Sequence, residues 1–139
     1  MKCLTIKQPW AWLIFNDGGI NKGLKNIENR NWHTNIRGTI AIHTSKKIDI
    51  EVYNGLIKYS GFKLPPLNEL ECGKIIGVVD IVDSVEKHSS YWKEYDSIGF
   101  VLENSKKLVS PIPLKGQLGF FNLSEDVLKE MKIMSTYVP

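Results

Sequence analysis

Apolar positions along the chain alternate with polar ones over short stretches more often than they recur at helical spacing, which predicts a sheet-rich domain with few helices. Leu4-Thr5-Ile6-Lys7 reads as a short extended run. It meets Gln8-Pro9, and a proline suits the first turn of a helix that carries Trp10-Ala11-Trp12-Leu13-Ile14-Phe15 and closes at Gly18-Gly19. From Lys22 to Trp32 the alternation is irregular, as for a loop followed by an edge strand. Gly38 to His43 is a β run. Gly73 to Val85 is the strongest strand, with Ile75, Ile76, Val78, Val79, Ile81 and Val82 interrupted by Gly77 and Asp80, and it predicts a central place in the sheet. Ile98 to Glu103 and Gly119 to Leu123 are further strands. Between them Pro111 and Pro113 forbid regular ladder pairing at their own positions.

Two segments carry helical spacing. Ile48 to Tyr59 places Val52, Tyr53, Leu56 and Ile57 on one face, with Asn54-Gly55 weakening the run. After Ser124, a good N-cap, Glu125 and Asp126 suit the positive helix end, and Val127, Leu128, Met131 and Met134 form an apolar stripe. Five or six short strands with helices at intervals predict an α+β fold, a small curled sheet or partly open β-barrel with peripheral helices. The 139 residues, 42% of them apolar, fit a single domain over residues 1–139.

Composition narrows the chemistry. The charge is only +3, but six of the basic residues, Lys22, Lys25, Arg30, Arg37, Lys46 and Lys47, fall in one stretch with Glu28 as its lone acid, and the rest of the chain holds more acid than base. Trp32, His33 and His43 interleave with these cations, a combination suited to a nucleotide or a single-stranded nucleic acid; the plainer alternative is a solvated charged face. No run approaches the roughly 18 apolar residues of a membrane span, and Lys7-Gln8 interrupts any secretory signal, so a cytoplasmic protein without a membrane partner is expected. Cys3 and Cys72 form no CxxC pair, and the three histidines are widely spaced, so neither a metal nor another cofactor is expected. Gly18, Gly19 and Gly23 lack the GK[ST] ending of a phosphate loop, and no nucleophile elbow is present.

Gly23-x-Lys25-x-x-Glu28-x-Arg30 reproduces the GxKxxExR signature of the ASCH domain, and further segments resemble that family in the same order. They are Gln8-Pro9-Trp10-Ala11, Arg37-Gly38, Ile42-His43-Thr44-Ser45-Lys46, Gly77-Val78-Val79-Asp80, Gly99-Phe100-Val101-Leu102-Glu103-Asn104 and Lys115-Gly116-x-x-Gly119. The pattern is closest to the ASCH domains of the activating signal cointegrator type and of small bacterial and phage proteins. The resemblance implies a PUA-like β-barrel with a cleft, lined by the signature, that takes RNA, single-stranded nucleic acid or a modified nucleoside. Some short bacterial members are amidohydrolases that remove the acetyl group of N4-acetylcytidine with a lysine at the position of Lys25, a threonine at that of Glu28 and a strand carboxylate for which Asp80 is the counterpart. Here glutamate replaces the threonine.

Glu28 and Arg30 at i and i+2 of a strand share a face, where Arg30 can brace the carboxylate, and Lys25 reaches the same mouth from the loop. A lysine base must be neutral, whereas a carboxylate nearby favours the ammonium, so the cluster reads first as a fixed cation in a binding site built from Lys25, Glu28 and Arg30. Trp10, Trp32, Arg37, His43, Ser45 and Lys46 are expected around it. Trp32 is the stacking candidate; Trp10 and Trp12 read first as core residues, with one supporting the core and the other closing the cleft as the alternative. In the enzyme alternative Lys25, Glu28 and Asp80 are catalytic, a carboxylate activating water while Lys25 steadies the oxyanion. A third reading is a protein-interaction module of coactivator type, using the Val127 to Met134 helix or Tyr91-Trp92 against an unidentified protein.

Overall fold

The computed structural model describes residues 1–136. In chain order its elements are β1 (Lys2–Gln8), α1 (Trp10–Phe15), β2 (Ile27–Arg30), β3 (Gly38–Ile48), α2 (Ile50–Ser60), β4 (Lys74–Val85), β5 (Ile98–Pro113), β6 (Phe120–Asn122) and α3 (Glu125–Thr136), with a 3-10 turn at Leu67–Glu69. The strands form one sheet in the order β2-β5-β4-β3-β1-β6. Only the β1–β3 pair is parallel. The strongest apolar run, β4, lies inside the sheet between β3 and β5, as its sequence predicts.

No backbone ladder joins β2 to β6, so the sheet is an open barrel. Its curl is nevertheless steep. Phe100 on β5 and Phe120 on β6 stack with centroids 5.9 Å apart and planes at 22°. Four strand intervals separate β5 from β6, about 19 Å along a flat sheet. The concave face holds Leu4, Ile6, Ile40, Ile42, Val79, Ile81, Phe100 and Leu102, joined by Ala11, Ile14 and Phe15 of α1. Gln8 fixes α1 against β1, its Oε1 accepting from the Trp12 amide at 2.8 Å and its Nε2 donating to the Glu71 carbonyl at 2.9 Å. Pro9 stands at the N-cap, one position ahead of the first turn.

The convex face has its own cluster, with Cys3, Ala41, Ile75, Leu108, Ile112, Phe121 and Leu123 beneath Met131 of α3. Ser124 Oγ accepts from the Val127 amide at 3.3 Å, the cap its sequence suggests. Burial in this cluster pushes the Cys3 thiol up to about 12, and both cysteines are free. A third cluster of Leu13, Ile27, Phe62 and Trp92 flanks β2.

Two expectations change. The strand from Ile98 continues past Glu103 to Pro113, because a shift in the β4–β5 register removes Pro111 from the ladder and Pro113 occupies the strand's last position opposite Lys74. In α2 only Tyr53 is buried and Ile57 is 41% exposed: Tyr53 donates to the Pro65 carbonyl and Leu56 packs beside Leu13, Phe62 and Trp92, so the helix buries a narrow stripe. Asp49, accepting from the Val52 amide at 3.1 Å, starts α2 in spite of Asn54-Gly55.

Gly77 is where α1 meets the sheet. A Cβ there would lie 2.5 Å from Phe15 Cε1 and 2.5 Å from the Lys106 carbonyl oxygen. Gly77→Ala is therefore expected to destabilise the fold by about 1–3 kcal/mol through overpacking, visible in urea unfolding as a lower midpoint at unchanged slope. An unchanged midpoint would show that α1 shifts freely on the sheet.

Candidate functional site

The signature residues lie where the two margins of the curled sheet face one another. Gly23 takes φ +72°, a left-handed conformation that favours glycine, and turns the chain so that the Lys25 amide donates to the Leu13 carbonyl at 2.9 Å. The Lys25 ammonium then points inward. It donates to the Ile27 carbonyl and to Glu28 Oε1, the latter at 3.2 Å, and lies 5.8 Å from the Trp10 ring centroid. Glu28 pairs with Phe100 across the β2–β5 ladder and so faces the concave side. Its second oxygen accepts from Arg30 Nε at 2.9 Å. Arg30 Nη2 continues across the gap to the Thr5 carbonyl of β1, also at 2.9 Å. Lys25 and Glu28 are 5% and 7% exposed, so this is a buried ion triad and not a surface pair. Arg30 remains partly open to solvent, and its Nη1 has no partner among the described residues.

Trp32 stands just beyond β2. Its ring meets Phe100 edge-on at 5.2 Å and Phe120 edge-on at 5.7 Å, and it stays 36% exposed. Trp10 is half-buried beside the concave core and over Lys25, so it serves both packing and site. Lys25, Glu28, Arg30, Trp10 and Trp32 are thus brought together.

The other candidates do not join the triad through any hydrogen bond or ion pair among the described residues. His43 pairs with Thr5 and Ile75 and faces the convex side, 1% exposed, its Nε2–H donating to the Leu114 carbonyl at 2.6 Å and its Nδ1 accepting from Thr5 Oγ1 at 3.0 Å. Burial lowers its pKa below 6.5, against a smaller upward pull from the Leu114 and Gly73 backbone. Asp80 pairs with Thr39 and Glu103 on that side too. It accepts from Thr39 at 2.6 Å and Asn104 at 3.0 Å, bonds that hold its carboxyl below the usual range. No hydrogen bond or ion pair among the described residues joins Asp80 to Lys25, Glu28 or Arg30. Arg37 precedes β3, donates to the Thr34 carbonyl at 2.9 Å and lies 3.7 Å from Asp83. Ser45 and Lys46 lie toward the other end of the same strand, about 26–30 Å along it at about 3.3 Å per residue, Ser45 Oγ donating to the Lys47 carbonyl. The basic stretch is therefore not one patch. Among the described residues no group of His, Cys, Asp and Glu is placed to hold a metal ion.

What sequence reasoning passed over is the segment 86–97, which walls a cleft of about 650 Å³ next to Asn31 and Ile98. Tyr91-Trp92 marked it only as a protein surface. Asn29, inside the signature but outside its defining positions, pins this loop.

The ASCH domain model matches residues 4–117. This chain belongs to the ASCH domain family. Among curated proteins it is similar to activating signal cointegrator 1 of Homo sapiens, 27% identical over 90% of this chain, and to that of Mus musculus, 26% identical over 90%. In both cases this ASCH domain spans only 22% of the relative's length. The match ends before α3, which packs on the convex face and not at the signature. No helix of the described residues is long and apolar enough to cross a membrane.

Two outcomes follow for this ASCH domain. Glu28→Ala strands two cations, one of them buried, and is expected to cost about 3–5 kcal/mol in denaturant unfolding; a loss below about 1 kcal/mol would mark an ordinary surface pair. Because the folded-state pKa of His43 is depressed, its contribution is complete above about 6.5 and is lost as pH falls toward the folded value. Stability should therefore decline below pH about 6.5, and His43→Gln should flatten that part of the profile.

Proposed function

We propose that this ASCH domain binds single-stranded nucleic acid, RNA in the first place, on the surface formed by Trp32, Arg30 and Trp10. The observation that carries the reading is Trp32: its ring is held by two edge contacts yet keeps a third of its surface open. A fixed, half-open ring offers a base a stacking face at little ordering cost. Two residues earlier Arg30, oriented by Glu28 and the Thr5 carbonyl, leaves Nη1 free for a phosphate or a base edge.

The same geometry argues against acetyl-group hydrolysis. The Lys25 ammonium is engaged with Ile27 and Glu28, both Glu28 oxygens hold cations, and Asp80 lies on the other face. Lys25 and Glu28 support the site from within, a role that suits binding. Capture of a protein through α3 would use the convex face, where that helix packs.

The test is a fluorescence titration of a labelled single-stranded RNA. Trp32→Ala is expected to weaken binding about tenfold or more, in line with stacking worth about 1–3 kcal/mol per base, while Trp32→Tyr keeps most of the affinity. Equal affinities for the wild type and a folded Trp32→Ala protein would overturn the reading.

A further inference from the structure

Beside the seam lies the 650 Å³ cleft walled by segment 86–97. The segment is pre-shaped. Asn29 Nδ2 donates to the Trp92 carbonyl at 2.9 Å, and its Oδ1 accepts from the Glu94 amide at 3.0 Å and from Ser97 Oγ at 2.9 Å. Ser90 Oγ donates to Asn26 Oδ1 at 2.6 Å, and Trp92 is buried against Phe62 and Leu13. Lys93 lines the cleft, but its ammonium is engaged with the Glu94 and Ser97 carbonyls, which closes one end of the loop.

The groups left facing the cleft are of a particular kind. Tyr95 is fully exposed. His88 Nδ1 accepts from the Ser90 amide at 2.9 Å, so the neutral ring presents Nε2–H as a donor. Asn31 adds an amide with both donor and acceptor atoms, and Glu86 and Asp96 add acceptors. Lys87 is the one lining cation not engaged within the loop. Glu86, Glu94 and Asp96 outnumber Lys87 and Lys93 along the cleft, so it does not favour a phosphate; a planar group with amino and carbonyl edges suits it, stacked on Tyr95.

The cleft adjoins the backbone that carries Arg30 and Trp32. Asn31 sits between Arg30 and Trp32 in sequence, and Ile98, on the other wall, is the ladder partner of Arg30. We infer that the cleft is a second base subsite, so that the ligand is an oligonucleotide bridging Trp32 and Tyr95, with its phosphates at the rim, toward Arg30 Nη1 and Lys87. This rests on the reading of Trp32 above and adds to it the class of ligand: a strand of several nucleotides and not a free nucleoside. Carboxylate acceptors favour bases with an exocyclic amino group over uracil.

The experiment compares cytidine monophosphate with C3, C6 and U6 oligoribonucleotides, and with the C6 deoxy strand, for wild type, Tyr95→Ala and Trp32→Ala. Tyr95 is wholly exposed, so Tyr95→Ala is expected to fold, and an unchanged melting temperature checks this. C6 should bind at least tenfold more tightly than the monophosphate and more tightly than U6, and Tyr95→Ala should lower the C6-to-monophosphate affinity ratio toward one, with Tyr95→Phe restoring it. Deoxy C6 behaving like C6 keeps the subsite and assigns it to either nucleic acid; a loss confined to the deoxy strand keeps it and restricts it to RNA. Strands no tighter than the monophosphate, or a ratio unmoved by Tyr95→Ala while Trp32→Ala still weakens binding, would overturn the second subsite and leave the Trp32 site standing. Absence of binding by every ligand to folded wild type would overturn both.

Discussion

The fold depends on closing a barrel that lacks a closing ladder. A six-stranded sheet this curled brings its margins within reach of one another, but β6 pairs with only Lys2, Cys3 and Leu4 of β1, and nothing pairs β2 with β6. Side chains bridge the gap instead. Arg30 reaches a β1 carbonyl, and Trp32, Phe100 and Phe120 meet ring to ring where backbone hydrogen bonds would otherwise run. An Arg guanidinium suits this work because its rigid fork can hold a carboxylate and a carbonyl together.

That constraint explains why site and scaffold share residues. Glu28 faces the concave side, where a lone carboxylate would be costly, and it is tolerable there because Lys25 and Arg30 each take one of its oxygens. The triad leaves outward only what closure does not use: one guanidinium nitrogen and the open part of the Trp32 ring. The groups open to solvent at this surface are thus a by-product of how the sheet margins are joined.

Much of this was legible in the sequence, for definable reasons. Alternation located the strands, and Ser124 and Gly73 to Val85 behaved as their local chemistry dictates. The i, i+2 spacing of Glu28 and Arg30 placed both on one face because strand geometry is periodic. What was not legible depended on distant partners. Proximity along the chain suggested that Arg37, Ser45 and Lys46 gather with the signature, yet β3 is long enough to carry them to opposite ends. His43 and Asp80 sit on strands whose facing direction follows from registers and bulges that no single segment encodes. The cleft at 86–97 leaves no mark in the sequence because its walls are polar loop residues without a motif, shaped by Asn29 from about 65 positions away.

Strand β2 is only four residues long, and its two faces address different surroundings. Glu28 and Arg30 look inward to the seam, while Asn29 looks outward and holds the loop. The two-residue period of a strand therefore lets one short segment join the sheet margins on one face and brace a loop on the other. A chain built this way can vary the exposed part of its outer loop, provided that Asn29 still ties the loop down and Trp92 keeps its place beside Leu13 and Phe62. The closure beneath would be untouched, so diversification at the rim does not compete with the integrity of the barrel.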